Sequence, residues 1–213
     1  MKELSNEELQ QLSQMYAFLG NSLLRPMNQT KGPGLDPTFW ASLPDFDDTS
    51  VGAALDALCS FAERARMESE GGGDPLTEVA VEHTRLFVGP PSPAAAPWET
   101  YYPDTPEGIA VQEPTSGFGE PTFAMRTLLR QAGLQLANES RQFEDHIGIE
   151  LLFLSELLSR AVTGDAEALS ASKSFIEEHP GRWMGRLIAK VSENYPDGYI
   201  IRLLALADAL LML

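Results

Sequence analysis

Asp145, His146 and Glu150 are the residues of this chain best placed to do chemistry. A carboxylate beside an imidazole can act as an acid/base pair or supply two metal ligands. His146 and Glu150 are four apart, so on a helix they share a face. Three readings are open: catalysis or metal binding, partner binding, and a purely structural role. In the structural role Asp145 favours a helix N-terminus, and Glu150 neutralises or orients His146. None of His83, His146 and His179 has a Glu three residues before it. That argues against the Glu-x-x-His pairs of a di-iron helical bundle. Cys59 is the only cysteine, which rules out an intrachain disulfide or a thiolate-rich metal site. Its neighbours Leu55, Leu58 and Phe61 suggest a core thiol. No metal and no cofactor is expected.

A second set is aromatic. Trp98, Tyr101 and Tyr102 lie on a proline-rich stretch. They could anchor a loop to the core or form a peptide-binding wall, since Trp and Tyr join a large contact area to a polar tip. Phe175, His179 and Trp183 are spaced by four, but Pro180 and Gly181 predict a break between the last two. Packing at a helix–helix corner suits that set. His83 sits on an apolar face beside Val79 and Leu86, as a satisfied histidine at a helix contact would. Several enzyme signatures are missing. There is no phosphate-binding Gly-x-x-x-x-Gly-Lys loop and no Gly-x-Ser-x-Gly elbow, and Gly117-Phe118-Gly119 lacks the third glycine of a dinucleotide turn.

The elements that must carry these residues read as helices. Ser5 and Glu8 make a capping box, and Leu9, Leu12, Tyr16, Leu19 and Leu23 follow at helical spacing. Further helices are predicted over 49–68, from Asp74-Pro75 to Phe87, over 120–131 with Gly133 as C-cap, and over 144–161, 165–178, 181–194 and 198–213. The helix over 144–161 is apolar on most faces, as a central helix is. Residues 89–121 contain eight prolines and break the pattern. So long a loop is either functional or a linker between two helical halves. No segment alternates like a strand. The expectation is an all-α fold, a single domain over 1–213 with the 89–121 loop across its surface.

The balance of 15 basic against 31 acidic residues gives a net charge of −16. Such a surface repels phosphate backbones, so no nucleic-acid partner is expected. It favours a basic partner, or serves solubility alone. The first residues lack an apolar signal region, and charges interrupt every long apolar run, so no stable membrane insertion and a cytoplasmic location are expected.

Three fragments, taken in order, resemble the TorD/DmsD family of cytoplasmic molybdoenzyme maturation chaperones. The first is Arg85-Leu86-Phe87, then Gly89-Pro90, then Trp98-Glu99-Thr100-Tyr101-Tyr102. The second is Glu144-Asp145-His146-Ile147-Gly148 running into an apolar helix, with Gln142 and Phe143 where the family has Glu and Pro. The third and weaker one is the Phe175, His179 and Trp183 set. The resemblance implies an all-helical fold without catalytic turnover. It implies a partner, the twin-arginine leader peptide or precursor of a molybdopterin-containing oxidoreductase subunit. It implies that Phe87, Trp98, Glu99, Tyr102, Asp145 and His146 bind that partner. It fits a monomer or a domain-swapped dimer. A weak nucleotide-binding or hydrolysing enzyme and a structural helical subunit are the alternatives.

Overall fold

In the computed structural model of the protein, residues 4–103, 118–136 and 142–213 are described. They form helices throughout, with one 3₁₀ turn and no strand among them. Helix α1 (Asn6–Leu24) begins at the predicted capping box, with Ser5 and Glu8 each satisfying the other's free amide. Two short helices, α2 (Met27–Thr30) and α3 (Pro37–Ala41), break up the Gly/Pro-rich segment that follows. Helix α4 (Thr49–Glu70) starts on Asp48, which accepts from Ser50 and Val51 amides. Helix α5 (Pro75–Phe87) starts on Asp74 with proline in its first turn, as predicted. Helices α6 (Glu120–Gln131), α7 (Ile147–Val162), α8 (Ala166–Glu178), α9 (Pro180–Ser192) and α10 (Tyr199–Leu211) complete the described chain.

The predicted central helix is α7, and it packs most closely on α1. That approach depends on two glycines. A Cβ on Gly148 would lie 2.6 Å from the Gly20 carbonyl oxygen, and one on Gly20 would lie 2.7 Å from that of Gly148. Only backbone against backbone fits there. Around this pair, α8 packs on α7, α9 bridges α8 and α10, and α10 lies on α4 and α5. One apolar core runs through all of them, from Tyr16 and Leu19 to Leu151, Leu154, Trp183 and Leu203.

Three local expectations change. Cys59 packs against the core from its edge and is only half-buried, its thiol near the Pro37 carbonyl, so it flanks the core instead of lying within it. The central helix begins at Ile147, not 144, because His146 takes the N-cap. Within 89–121 a 3₁₀ turn forms at Glu99–Tyr101, while α6 starts at Glu120 as expected; residues 104–117 of that loop lie outside the described residues.

Candidate functional site

The two motifs meet. The segment before the 3₁₀ turn runs antiparallel to the start of α7, with Trp98 bridged to His146. The Ile147 amide donates to the Pro97 carbonyl at 2.9 Å, and the Glu99 amide to the Asp145 carbonyl at 3.0 Å. Pro97 has no amide to give, so the segment offers only its carbonyl at that step.

Asp145 does not cap α7. Its carboxylate, fully buried, accepts from the Thr100 amide at 3.0 Å and the Thr100 hydroxyl at 2.6 Å on one oxygen. The Thr122 hydroxyl donates to the other at 3.0 Å. One side chain therefore ties together the loop, the first turn of α6 and the start of α7. Burial raises its pKa, and the threonine hydrogen bonds pull the other way.

His146 caps α7 in its place: its Nδ1 accepts from the Gly148 amide at 2.9 Å. A ring nitrogen that accepts carries no proton, so the imidazole is neutral. Burial, then the neighbouring His83, lowers its pKa to about 3. His83 is also neutral. Its Nε2 donates to the Leu23 carbonyl at 2.9 Å, as a histidine at a helix contact should, and burial lowers its pKa. Phe87 packs edge-on between the two imidazoles and is buried.

Trp98 is half-buried and stands over His146, Phe143 and Tyr101. Phe118, half exposed, packs on Phe143 at 4.3 Å and extends this aromatic face. Tyr102 does not join it. It stacks instead on Trp183 at 5.2 Å, along the floor of a groove between the loop, α6 and α9. Exposed Glu120 and Glu178 line that groove, together with Arg182 and Arg186. The six expected binding residues thus divide. Trp98 and Tyr102 reach the surface, while Phe87, Glu99, Asp145 and His146 lie beneath it.

Glu150 departs from the expected pairing with His146. As N-cap, His146 precedes the helix, so the four-residue spacing no longer sets the two side chains side by side. Glu150 accepts from the Trp183 indole at 3.1 Å. It also faces Glu99, and burial together with that neighbouring charge holds its pKa well above the ordinary carboxylate range. Glu99 in turn is bonded to His179 Nδ1 at 2.8 Å. His179 lies at the predicted break, between α8 and α9, stacked on Phe175. Glu99, Glu150 and His179 are the described residues able to hold a metal ion: one donor atom from each lies within 4.8 Å of the others. Sequence spacing gave no sign of this set, because its members stand on three segments. The only hint was that Glu99 and His179 fall in two of the singled-out fragments.

Phe143 and Phe118 were also missed as surface residues. The signal available was Phe143 standing in place of the family's proline, immediately before the Asp-His pair.

A family model described as the nitrate reductase delta subunit matches residues 45–189. The chain is 29% identical over 155 residues to the chaperone protein TorD of Shewanella pealeana, covering 73% of this chain and 64% of that protein. It is 30% identical over 87 residues to the Tat proofreading chaperone DmsD of Salmonella typhi, covering 41% of this chain and 39% of the other. A chaperone protein TorD of Vibrio cholerae is 29% identical over 116 residues, 52% of this chain and 49% of that protein. The chain therefore spans less than two thirds of the length of the curated relatives it matches.

Proposed function

The chain belongs to the TorD/DmsD family, and from that premise we propose that it is a cytoplasmic chaperone for a molybdopterin-containing oxidoreductase subunit. It binds the twin-arginine leader or N-terminal segment of that subunit. It thereby assists folding, cofactor insertion and export proofreading, without catalytic turnover. The observation that carries this reading is the joining of the two motifs into one surface. The partly buried Trp98 and Phe143 and the half-exposed Phe118 form an aromatic face beside a groove edged by Glu120 and Glu178.

A leader peptide offers two arginines followed by an apolar run. Guanidinium forks pair with carboxylates, and exposed Glu120 and Glu178 are available to them. The apolar run lies on the aromatic face, where Trp98 contributes the largest contact. Tyr102 forms part of the groove floor. Phe87, Glu99, Asp145 and His146 act from below, by fixing the loop on which Trp98 and Tyr102 stand. Among the described residues no helix is long and apolar enough to cross a membrane.

The test is calorimetric titration of the full chain with a twin-arginine leader peptide, with guanosine triphosphate titrated separately. The peptide should bind and Trp98→Ala should weaken it tenfold or more, equivalent to about 1.4 kcal/mol. Binding of the nucleotide alone would favour the enzymatic alternative.

A further inference from the structure

The buried cluster beneath the groove brings two carboxyl groups together with one oxygen that no donor of the protein meets. Glu150 is fully buried, and one of its oxygens, Oε2, accepts from the Trp183 indole. The other, Oε1, is buried with no hydrogen-bond partner. A bare carboxylate oxygen in a dry interior costs several kcal/mol, roughly, unless something positive meets it. Its neighbour is a second carboxyl group, Glu99, within hydrogen-bond reach, so either a proton or a cation must lie between the two. The His179 Nδ1 bonds Glu99 Oε2 and not Glu150.

We propose that Glu99, Glu150 and His179 form a binding site for one divalent transition-metal ion of the zinc or manganese class. Two carboxylates and an imidazole are a usual donor set for such ions. The three donor atoms already lie within 4.8 Å of one another. Metal–donor lengths of about 2.0–2.2 Å require separations of about 3–4 Å, so binding draws the three inward by less than about 1 Å. The surroundings suit a metal site. The Trp183 indole orients Glu150, and the Phe175 ring stacked on His179 fixes the imidazole plane. Glu99 and His179 line the solvent groove, which provides an entry path and room for water to complete the coordination. The set is not a patch of surface acids, since all three residues are buried.

The ion acts as a clamp. It joins the 3₁₀ turn, α7 and the α8–α9 junction, and so fixes Tyr102 against Trp183. Metal occupancy is independent of the client, so the site stands or falls separately from leader binding.

The experiment uses the full chain, stripped with chelator and dialysed. Manganese chloride or zinc chloride is then titrated in high salt, which suppresses loose binding to the acidic surface. Calorimetry, and the electron paramagnetic resonance signal of free Mn²⁺, read the stoichiometry. The expected result is one ion per chain and a raised melting temperature, because the ion binds the native state. Glu150→Gln keeps the indole hydrogen bond and should lower metal affinity at least tenfold; His179→Asn should do the same. The wild-type titration needs no variant to fold. Absence of saturable binding would overturn the proposal and leave a proton between the two carboxylates. Equal binding by the wild type and both folded variants would overturn it as well.

Discussion

Asp145 is the residue through which the loop, α6 and α7 communicate. Its carboxylate takes two donors from Thr100 and one from Thr122 and has no exposed surface. It cannot meet a client arginine without giving these up, so under the proposed function any effect on binding passes through the loop. Asp145→Asn replaces an acceptor oxygen with a donor amide facing a threonine hydroxyl. It should cost about 1–3 kcal/mol in denaturant unfolding, the range for a buried polar group that loses its partner. Leader affinity should fall with it, and Thr100→Ala should lower both quantities in the same sense. Trp98→Ala should instead lower affinity out of proportion to its loss of stability, because part of its ring faces solvent while the rest packs on Phe143 and His146. A variant of Asp145 that kept its stability and lost only binding would place the carboxylate in direct contact with the client. The histidines give a pH signature. His146 is held near 3 in the folded protein and returns to about 6.5 when unfolded. Between those values the unfolded state binds more protons. The stability is therefore complete above pH ~6.5 and is lost as pH falls, by up to ~1.4 kcal/mol per pH unit. His83, also depressed, adds in the same direction. The raised pKa of Asp145 and Glu150 acts oppositely, and burial is the first cause in both. Asn is a good N-cap, so His146→Asn should keep the start of α7 and flatten the stability loss between pH 7 and 5.5. Urea unfolding at the two pH values measures it.

Among the elements, the α1–α7 pair sets the position of everything in the site. The mutual approach of Gly20 and Gly148 leaves no room for a methyl group on either. Gly148 is also the residue whose amide the His146 ring caps, so pushing α7 away from α1 disturbs the cap directly. Gly148→Ala should destabilise the protein by about 1–3 kcal/mol, the usual cost of overpacking, despite the better helix propensity of alanine. A lowered urea midpoint with an unchanged slope would be the expected trace. These helices were largely legible beforehand. Ser5 and Glu8, Asp74 and Pro75, and Gly133 after α6 are local signals, and each acts within a few residues. The apolar face of α7 was equally plain. The contacts that build the site are not local. The choice of His146 over Asp145 as cap depends on Thr100 and Thr122, 45 and 23 residues away from Asp145. The meeting of Glu99 with His179 spans 80 residues. Spacing along a helix carries no information about such pairs. What identified the two segments was the resemblance of their motifs, and what placed Tyr102 on Trp183 rather than beside Trp98 was the turn of the backbone at Glu99–Tyr101.

Across the whole molecule, the charge of −16 acts at a range that no single contact does. Part of it is internally spent: Arg126 holds Glu144 in a two-pronged pair at 2.6 and 3.0 Å, and Arg160 holds Glu156. Two exposed carboxylates, Glu120 and Glu178, remain at the groove beside Arg182 and Arg186, so the attraction at a distance comes from the molecule's net charge more than from the groove itself. A peptide with two arginines would be drawn to that field before any contact forms. The association rate should then fall as salt is raised, since the Debye length shrinks from about 10 Å at 0.1 M to about 3 Å at 1 M. The dissociation rate should change less, because the apolar run on Trp98 and Phe118 is not screened. Stopped-flow tryptophan fluorescence across that salt range separates the two. An association rate that did not vary with salt would remove the electrostatic part of the reading. Glu120→Gln with Glu178→Gln offers a finer check. Both side chains are exposed, so stability should stay within about 0.5 kcal/mol of the parent. Peptide affinity at low salt should fall severalfold, and the difference from the parent should close as salt rises. A loss of affinity that persisted at 1 M salt would mean these carboxylates act by short, direct pairing with the arginines and not through the field.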